Sequence, residues 1–211
     1  MNISYFSMRM SGISIMAVKI LFYSVLLRLA SSDSCYQKLK EVGILPTFAE
    51  DVNSTDLKII YPPDIPVECG NRISIVTVAK RPTLTYDVNG ACKLATVLLF
   101  GFGPVPVVGM PVLHWLVYNI PTDVLANGFS GQAGDARAKY IQPFAPDLEQ
   151  RYTFFVYCQE HPVDVNDEIP ILQRLGIDPK QIAQEHDLGN PVAANYLTLV
   201  LINGDPLEPK P

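Results

Sequence analysis

The stretch "LHWLVYNIP", residues 113–121, sets one histidine, His114, into a run that otherwise has the composition of a buried strand. An imidazole in that setting needs a hydrogen-bond partner, a ligand or a cavity. The other histidines, His161 and His186, share no close spacing with it, and no carboxylate stands at a metal-ligand interval. No metal site is expected. "GFSG" (Gly128–Gly131) lacks the further glycine of a nucleophile elbow, which leaves Ser130 as a loop serine. "GFGPVPVVG" (Gly101–Gly109) is glycine-rich, as a phosphate-cradling loop would be. Pro104 and Pro106, however, remove amides that such a loop uses, and no helix pattern follows it. Neither a catalytic triad nor a cofactor motif emerges, so the expectation is a protein that is not an enzyme and carries no cofactor.

Four cysteines remain as candidate chemistry: Cys35, Cys69, Cys92 and Cys158. Their spacings of 34, 23 and 66 residues fit no zinc motif. An even count predicts two disulfides if the chain is exported, with three pairings open. The first 32 residues argue for export. They hold no acid, three basic residues (Arg9, Lys19, Arg28) and the apolar run Ile20–Ala30, followed by small residues. That run has the length of a signal-peptide core and is too short to span a membrane. Residues 1–32 are therefore expected to be a signal peptide, with Met16 as an alternative start, and residues 33–211 to be one domain. Asn53 opens the acceptor triplet "NST" and is a candidate glycosylation site in a secreted chain.

Net charge narrows the partners. The chain carries 16 basic and 21 acidic residues; without residues 1–32 these become 13 and 21, a net charge of −8. An acidic product with no basic run is not expected to bind nucleic acid or to hold to anionic membranes. After the leader, no run is apolar enough for a membrane anchor.

The elements that must position these residues read mostly as strands. "DLKIIYP" (Asp56–Pro62), "RISIVTVA" (Arg72–Ala79), "TLTYDV" (Thr83–Val88), "LATVLLF" (Leu94–Phe100), "LHWLVYNI" (Leu113–Ile120), "RYTFFVYCQ" (Arg151–Gln159) and "NYLTLVLI" (Asn195–Ile202) are β-branched or aromatic-rich and bounded by turn residues. Those at Leu94–Phe100 and Leu113–Ile120 are apolar on both faces and should be central. Short helices are expected over Cys35–Leu45, with Gly43 as terminator, and over Pro179–His186. The second has Asp178 as N-cap and Gln181 completing a capping-box pattern. The 18 prolines suit strand-joining loops. The fold class is mainly β: an antiparallel Greek-key β-sandwich with a few short peripheral helices.

With those elements placed, "LHWLVYNIP" resembles the His-Trp strand of the phosphatidylethanolamine-binding protein family. "YIQPFAPDLEQRYTFFVYCQE" (Tyr140–Glu160) is similar to that family's second signature, Tyr-x-Gly-Pro-x-Pro-Pro followed by His-Arg-Tyr and an aromatic strand. "GILPTF" (Gly43–Phe48), "RPTLTYD" (Arg81–Asp87) and "LGNPVAANY" (Leu188–Tyr196) resemble flanking family segments in the right order.

The resemblance implies a small anion pocket built from an Asp-Pro-Asp-x-Pro loop, the strand histidine, the Gly-Pro-x-Pro loop and a second histidine. In this chain the two loop acids fall on Phe100 and Phe102, while Pro104 is kept. The loop glycine becomes Gln142, followed by the kept Pro143, and the second histidine becomes Gln150, ahead of Arg151 and Tyr152. His114, Phe100, Phe102, Pro104, Gln142, Pro143, Gln150 and Tyr152 are thus the expected ligand residues.

Losing two acids and a histidine would turn an anion pocket apolar, with a neutral His114 and weak phosphate affinity. Two readings of His114 stay open: a core histidine bonded to a backbone carbonyl, or the polar handle of an aromatic-lined pocket. Phe100, Phe102 and Phe144 would correspondingly plug that pocket or line it. The expected partner is a small apolar or lipid ligand, with an extracellular protein, as for a peptidase inhibitor, as the alternative.

Overall fold

A computed structural model describes residues 35–103, 110–144 and 150–200. The expected leader, Pro104 and the end of the expected closing strand lie outside these residues. In chain order the elements are helix α1 (35–41), strands β1 (Lys58–Tyr61), β2 (Ile65–Pro66), β3 (Arg72–Ser74), β4 (Thr83–Thr85), β5 (Leu94–Phe102) and β6 (Val112–Pro121). Helix α2 (Thr122–Gly128), strands β7 (Asp135–Ala138) and β8 (Gln150–Gln159), helix α3 (Pro179–Glu185) and strand β9 (Ala193–Val200) follow.

The strands form a sheet of three, in the order β2-β1-β4, and a sheet of six, β3-β9-β8-β5-β6-β7. Pairing is antiparallel except at one edge, where β3 runs parallel to β9. The expectation of a wholly antiparallel fold is corrected there. The run "RISIVTVA" also turns out shorter as a strand. It ends at Ser74 and closes in a 3-10 turn over Thr77–Ala79. Beyond Ser74 only the Ile75 amide continues toward the sheet, reaching the Val200 carbonyl at 3.1 Å. Helix α2 and strands β2 and β7 have no counterpart in the sequence reading; they are seven, two and four residues long, too short for a periodic pattern to show.

Two hydrophobic clusters explain the composition of the long strands. One lies between the sheets and joins Leu57, Ile59, Tyr61 and Leu84 to Val97, Leu99, Trp115, Phe154 and Leu197. The other covers the opposite face of the large sheet, where Leu39, Ile44, Phe48 and Ile182 meet Phe100, Phe155 and Tyr157. A sheet buried on both faces must be apolar at consecutive positions, which is what β5, β6 and β8 show.

Asn195 ties the layers together. Its amide donates to the carbonyls of Leu57 (2.9 Å) and Val67 (3.1 Å), and its oxygen accepts from the amides of Cys69 (3.1 Å) and Tyr196 (2.8 Å). All four of its hydrogen-bond sites are used, as a buried amide requires.

The cysteines pair as Cys35–Cys69 and Cys92–Cys158, with Cα atoms 5.6 and 5.7 Å apart. The first fixes α1 to the segment ahead of β3; the second joins the loop before β5 to the end of β8. Asp178 caps α3 by accepting the Lys180 amide at 2.9 Å. Gln181 does not complete a capping box. Its amide nitrogen donates instead to Glu185 one turn on, at 2.7 Å. Helix α1 ends before Gly43, whose φ of +76° gives the left-handed exit that favours glycine.

Candidate functional site

His114 owes its position to a bulge. On β5 Leu99 faces Trp115 and Phe100 faces Leu113, so one step on β5 corresponds to two on β6, and His114 is the extra residue. Leu113 consequently joins the outer cluster, while Trp115 joins the cluster between the sheets. The His114 ring packs against Tyr152 (5.0 Å, edge-on) and Phe144 (5.5 Å).

The segment after β7 folds back over this histidine. Ile141 donates its amide to the His114 carbonyl at 2.9 Å, and the His114 Nδ1 lies 3.3 Å from the Ile141 carbonyl. A carbonyl can only accept, so Nδ1 carries the hydrogen and the neutral ring leaves Nε2 as an acceptor. The residue is 1% exposed. Burial pushes its pKa down to about 4, with the positive charge of Arg174 adding to the effect against the opposing pull of the Ile141 and Gln142 carbonyls.

Tyr152 fixes the far side. Its hydroxyl donates to the Phe144 carbonyl, accepts the Phe144 amide at 3.1 Å and lies 2.9 Å from the Gln150 side-chain amide. The Gln150 atom facing it is Oε1, so the single hydroxyl proton is shared between two acceptors, the Phe144 carbonyl and the Gln150 side-chain oxygen. The Tyr152 ring has room only because its cross-strand neighbour is a glycine. A Cβ on Gly101 would sit 2.5 Å from the Tyr152 Cε1.

The structure brings together four of the residues singled out in the sequence: His114, Phe144, Gln150 and Tyr152. Gln142 is adjacent in the chain, but its side chain is turned to the Ile75 carbonyl at 3.1 Å. Phe100 and Phe102 are elsewhere. Both meet Phe48, at 4.8 and 4.9 Å, and Phe100 belongs to the outer cluster on the other face of the sheet. Strand alternation sends Leu99 and Gly101 toward Tyr152 and Phe100 and Phe102 away from it, so these phenylalanines neither plug nor line the His114 site. The same alternation separates Gln150, buried beside Tyr152, from Arg151, whose charge acts on Tyr196 in the outer cluster. Pro104 lies outside the described residues.

Sequence reading missed Arg174. Its guanidinium is buried and donates to the carbonyls of Ile169 (3.0 Å) and Lys139 (2.6 Å) while meeting Glu168 at 3.4 Å. Its own carbonyl accepts the Leu113 amide at 2.9 Å. Arg174 thus clamps the segment over His114 to the residue just before it. The one signal was a lone cation within the apolar run "ILQRLGI".

Residues 102–197 match the family model described as phosphatidylethanolamine-binding protein. The match covers a little under half of the chain, and over those residues the chain is similar to this family. A 26 kDa secreted antigen of Toxocara canis is 28% identical over 167 residues, which is 73% of this chain. The chain spans 60% of that relative's length. The solution structure of CG7054 is similar with a TM-score of 0.59 and 27% identity, over 76% of this chain and 92% of that one. A carboxypeptidase Y inhibitor, solved in complex with its cognate proteinase, matches at TM-score 0.62 and 18% identity over 81% and 97% of the two chains. At that identity the likeness is one of fold.

Proposed function

We propose that this chain is a secreted, non-enzymatic binding protein whose His114 site takes a small apolar or lipid-type ligand and holds phosphate-type anions weakly or not at all. The observation that carries this reading is the environment of His114. Its ring is neutral, its Nδ1 proton is already given to Ile141, and aromatic rings flank it. A phosphate needs several donors converging on one point, the charged ones being strong. Here Arg174 is spent on backbone carbonyls and Arg151 is turned to the other face. What remains is one acceptor nitrogen in an apolar setting, which suits a ligand with a large apolar body and few polar atoms.

Export is supported by the leader pattern, the two disulfides and the secreted Toxocara relative. Asn53 is exposed in the loop before β1 and is proposed to carry a glycan. Among the described residues no helix is long and apolar enough to cross a membrane.

One observation favours a second reading, an extracellular protein-interaction module such as a peptidase inhibitor. Met110, Ile171, Leu172 and Leu175 are large, apolar and exposed, Leu172 to 94%. They lie on neighbouring segments joined by the Val112–Leu175 bridge. Native mass spectrometry of the secreted protein separates the readings. Co-purifying apolar adducts that disappear from a His114→Phe variant support the ligand reading. A protein free of adducts that holds a stable stoichiometric partner overturns it in favour of the module.

A further inference from the structure

On the opposite face of the large sheet from His114, α3 and the segment after it enclose a groove of about 400 Å³. Phe48, Tyr157 and Ala183 are buried and supply an apolar lining; Glu50, Lys180 and Asp187 stand at its edge. Lys180 is already held by Glu50 in an ion pair. The carboxylate of Asp187 is therefore the charge left over, and the edge is net negative by one.

Two features of this groove have no account in the fold. Tyr157 is 1% exposed, yet its hydroxyl has no hydrogen-bond partner among the described residues. A buried hydroxyl left unpaired is costly and uncommon. Asp187 follows α3 with a φ of +51°, a left-handed conformation that glycine or asparagine adopts more readily. It also puts a negative charge at the carbonyl end of a helix, where a cation is favoured. Stability alone would not select aspartate here.

We infer that this groove is a second ligand site, separate from the one around His114, for a small organic cation: an ammonium group carrying an apolar body. The ammonium pairs with Asp187. The body lies against the apolar lining at Phe48 and Ala183, and the Tyr157 hydroxyl behind it gains its missing partner.

The test uses the intact oxidised protein and two probes of one shape and opposite charge, 2-phenylethylamine and 3-phenylpropionate. Titration calorimetry gives affinity, and saturation-transfer NMR gives position. The amine is expected to bind about tenfold or more tighter than the acid, with saturation on Tyr157 and Ala183. Asp187→Asn should weaken the amine by about fivefold or more, as for a partly exposed ion pair, while raising Tm. Tyr157→Phe should weaken it by a few-fold without lowering Tm, since it deletes an unpaired hydroxyl. Equal affinity for the two probes, no saturable amine binding, saturation found on His114 and Phe144 instead, or an amine affinity unmoved by both substitutions would each overturn the assignment.

Discussion

In the folded chain His114 binds its second proton only near pH 4, whereas in the unfolded chain it does so near the ordinary value of 6.5. Between those values the unfolded state holds the extra proton. The contribution of His114 to stability is therefore complete above about pH 6.5 and is lost as the pH falls toward 4. For a residue this buried, the loss between pH 7 and pH 5 should be about 2 kcal/mol. Urea denaturation of the protein and of His114→Gln at both pH values checks this, because the variant removes this titration and leaves the others. An equal pH dependence in the two proteins would mean that His114 is solvated in the native state. The same neutral ring underlies a second expectation. Phosphoethanolamine should bind weakly, and His114→Ala should lower stability by roughly 2–4 kcal/mol, the scale of a core truncation, more than it changes any anion affinity. Tight phosphoethanolamine binding abolished by His114→Ala would refute the apolar reading of the site.

Strands β5 and β8 and the segment over His114 act as one unit through Tyr152. Its hydroxyl carries both backbone groups of Phe144, and its ring fills the space left by the absent side chain of Gly101. Gly101→Ala forces a methyl into a fully buried ring with backbone on either side, so it should destabilise by about 1–3 kcal/mol. Tyr152→Phe keeps the ring and removes the hydroxyl. It should leave the fold intact but raise amide hydrogen exchange at Phe144 well above that at Ile141, whose partner is His114. Unchanged exchange at Phe144 would show that the segment is held elsewhere, with Arg174 the alternative clamp.

Across the whole molecule, the two disulfides close loops of 34 and 66 residues. Each should contribute roughly 2–4 kcal/mol by restricting the unfolded chain. Non-reducing peptide mapping of secreted material should recover Cys35 with Cys69 and Cys92 with Cys158, and thermal unfolding in reductant should shift down. Any other pairing would displace either α1 or the end of β8.

Much of this was legible in the residues themselves. The strands at Leu94–Phe100, Leu113–Ile120 and Arg151–Gln159 were visible because a strand buried on both faces must be continuously apolar, and α3 because Asp178 and Pro179 mark a helix start in any context. The His-Trp strand and the segment around Arg151 and Tyr152 carried the resemblance to the phosphatidylethanolamine-binding protein family. Facing was not legible. Phe100 and Phe102 looked like neighbours of His114, but a bulge at His114 and the two-residue period of β5 set them on opposite sides of one sheet. The pairing of four cysteines, the parallel edge at β3 and the burial of Arg174 depend on which segments meet across long stretches of chain. A sequence states what each residue can do locally; which face it turns, and toward what, is decided only when the sheets close on one another.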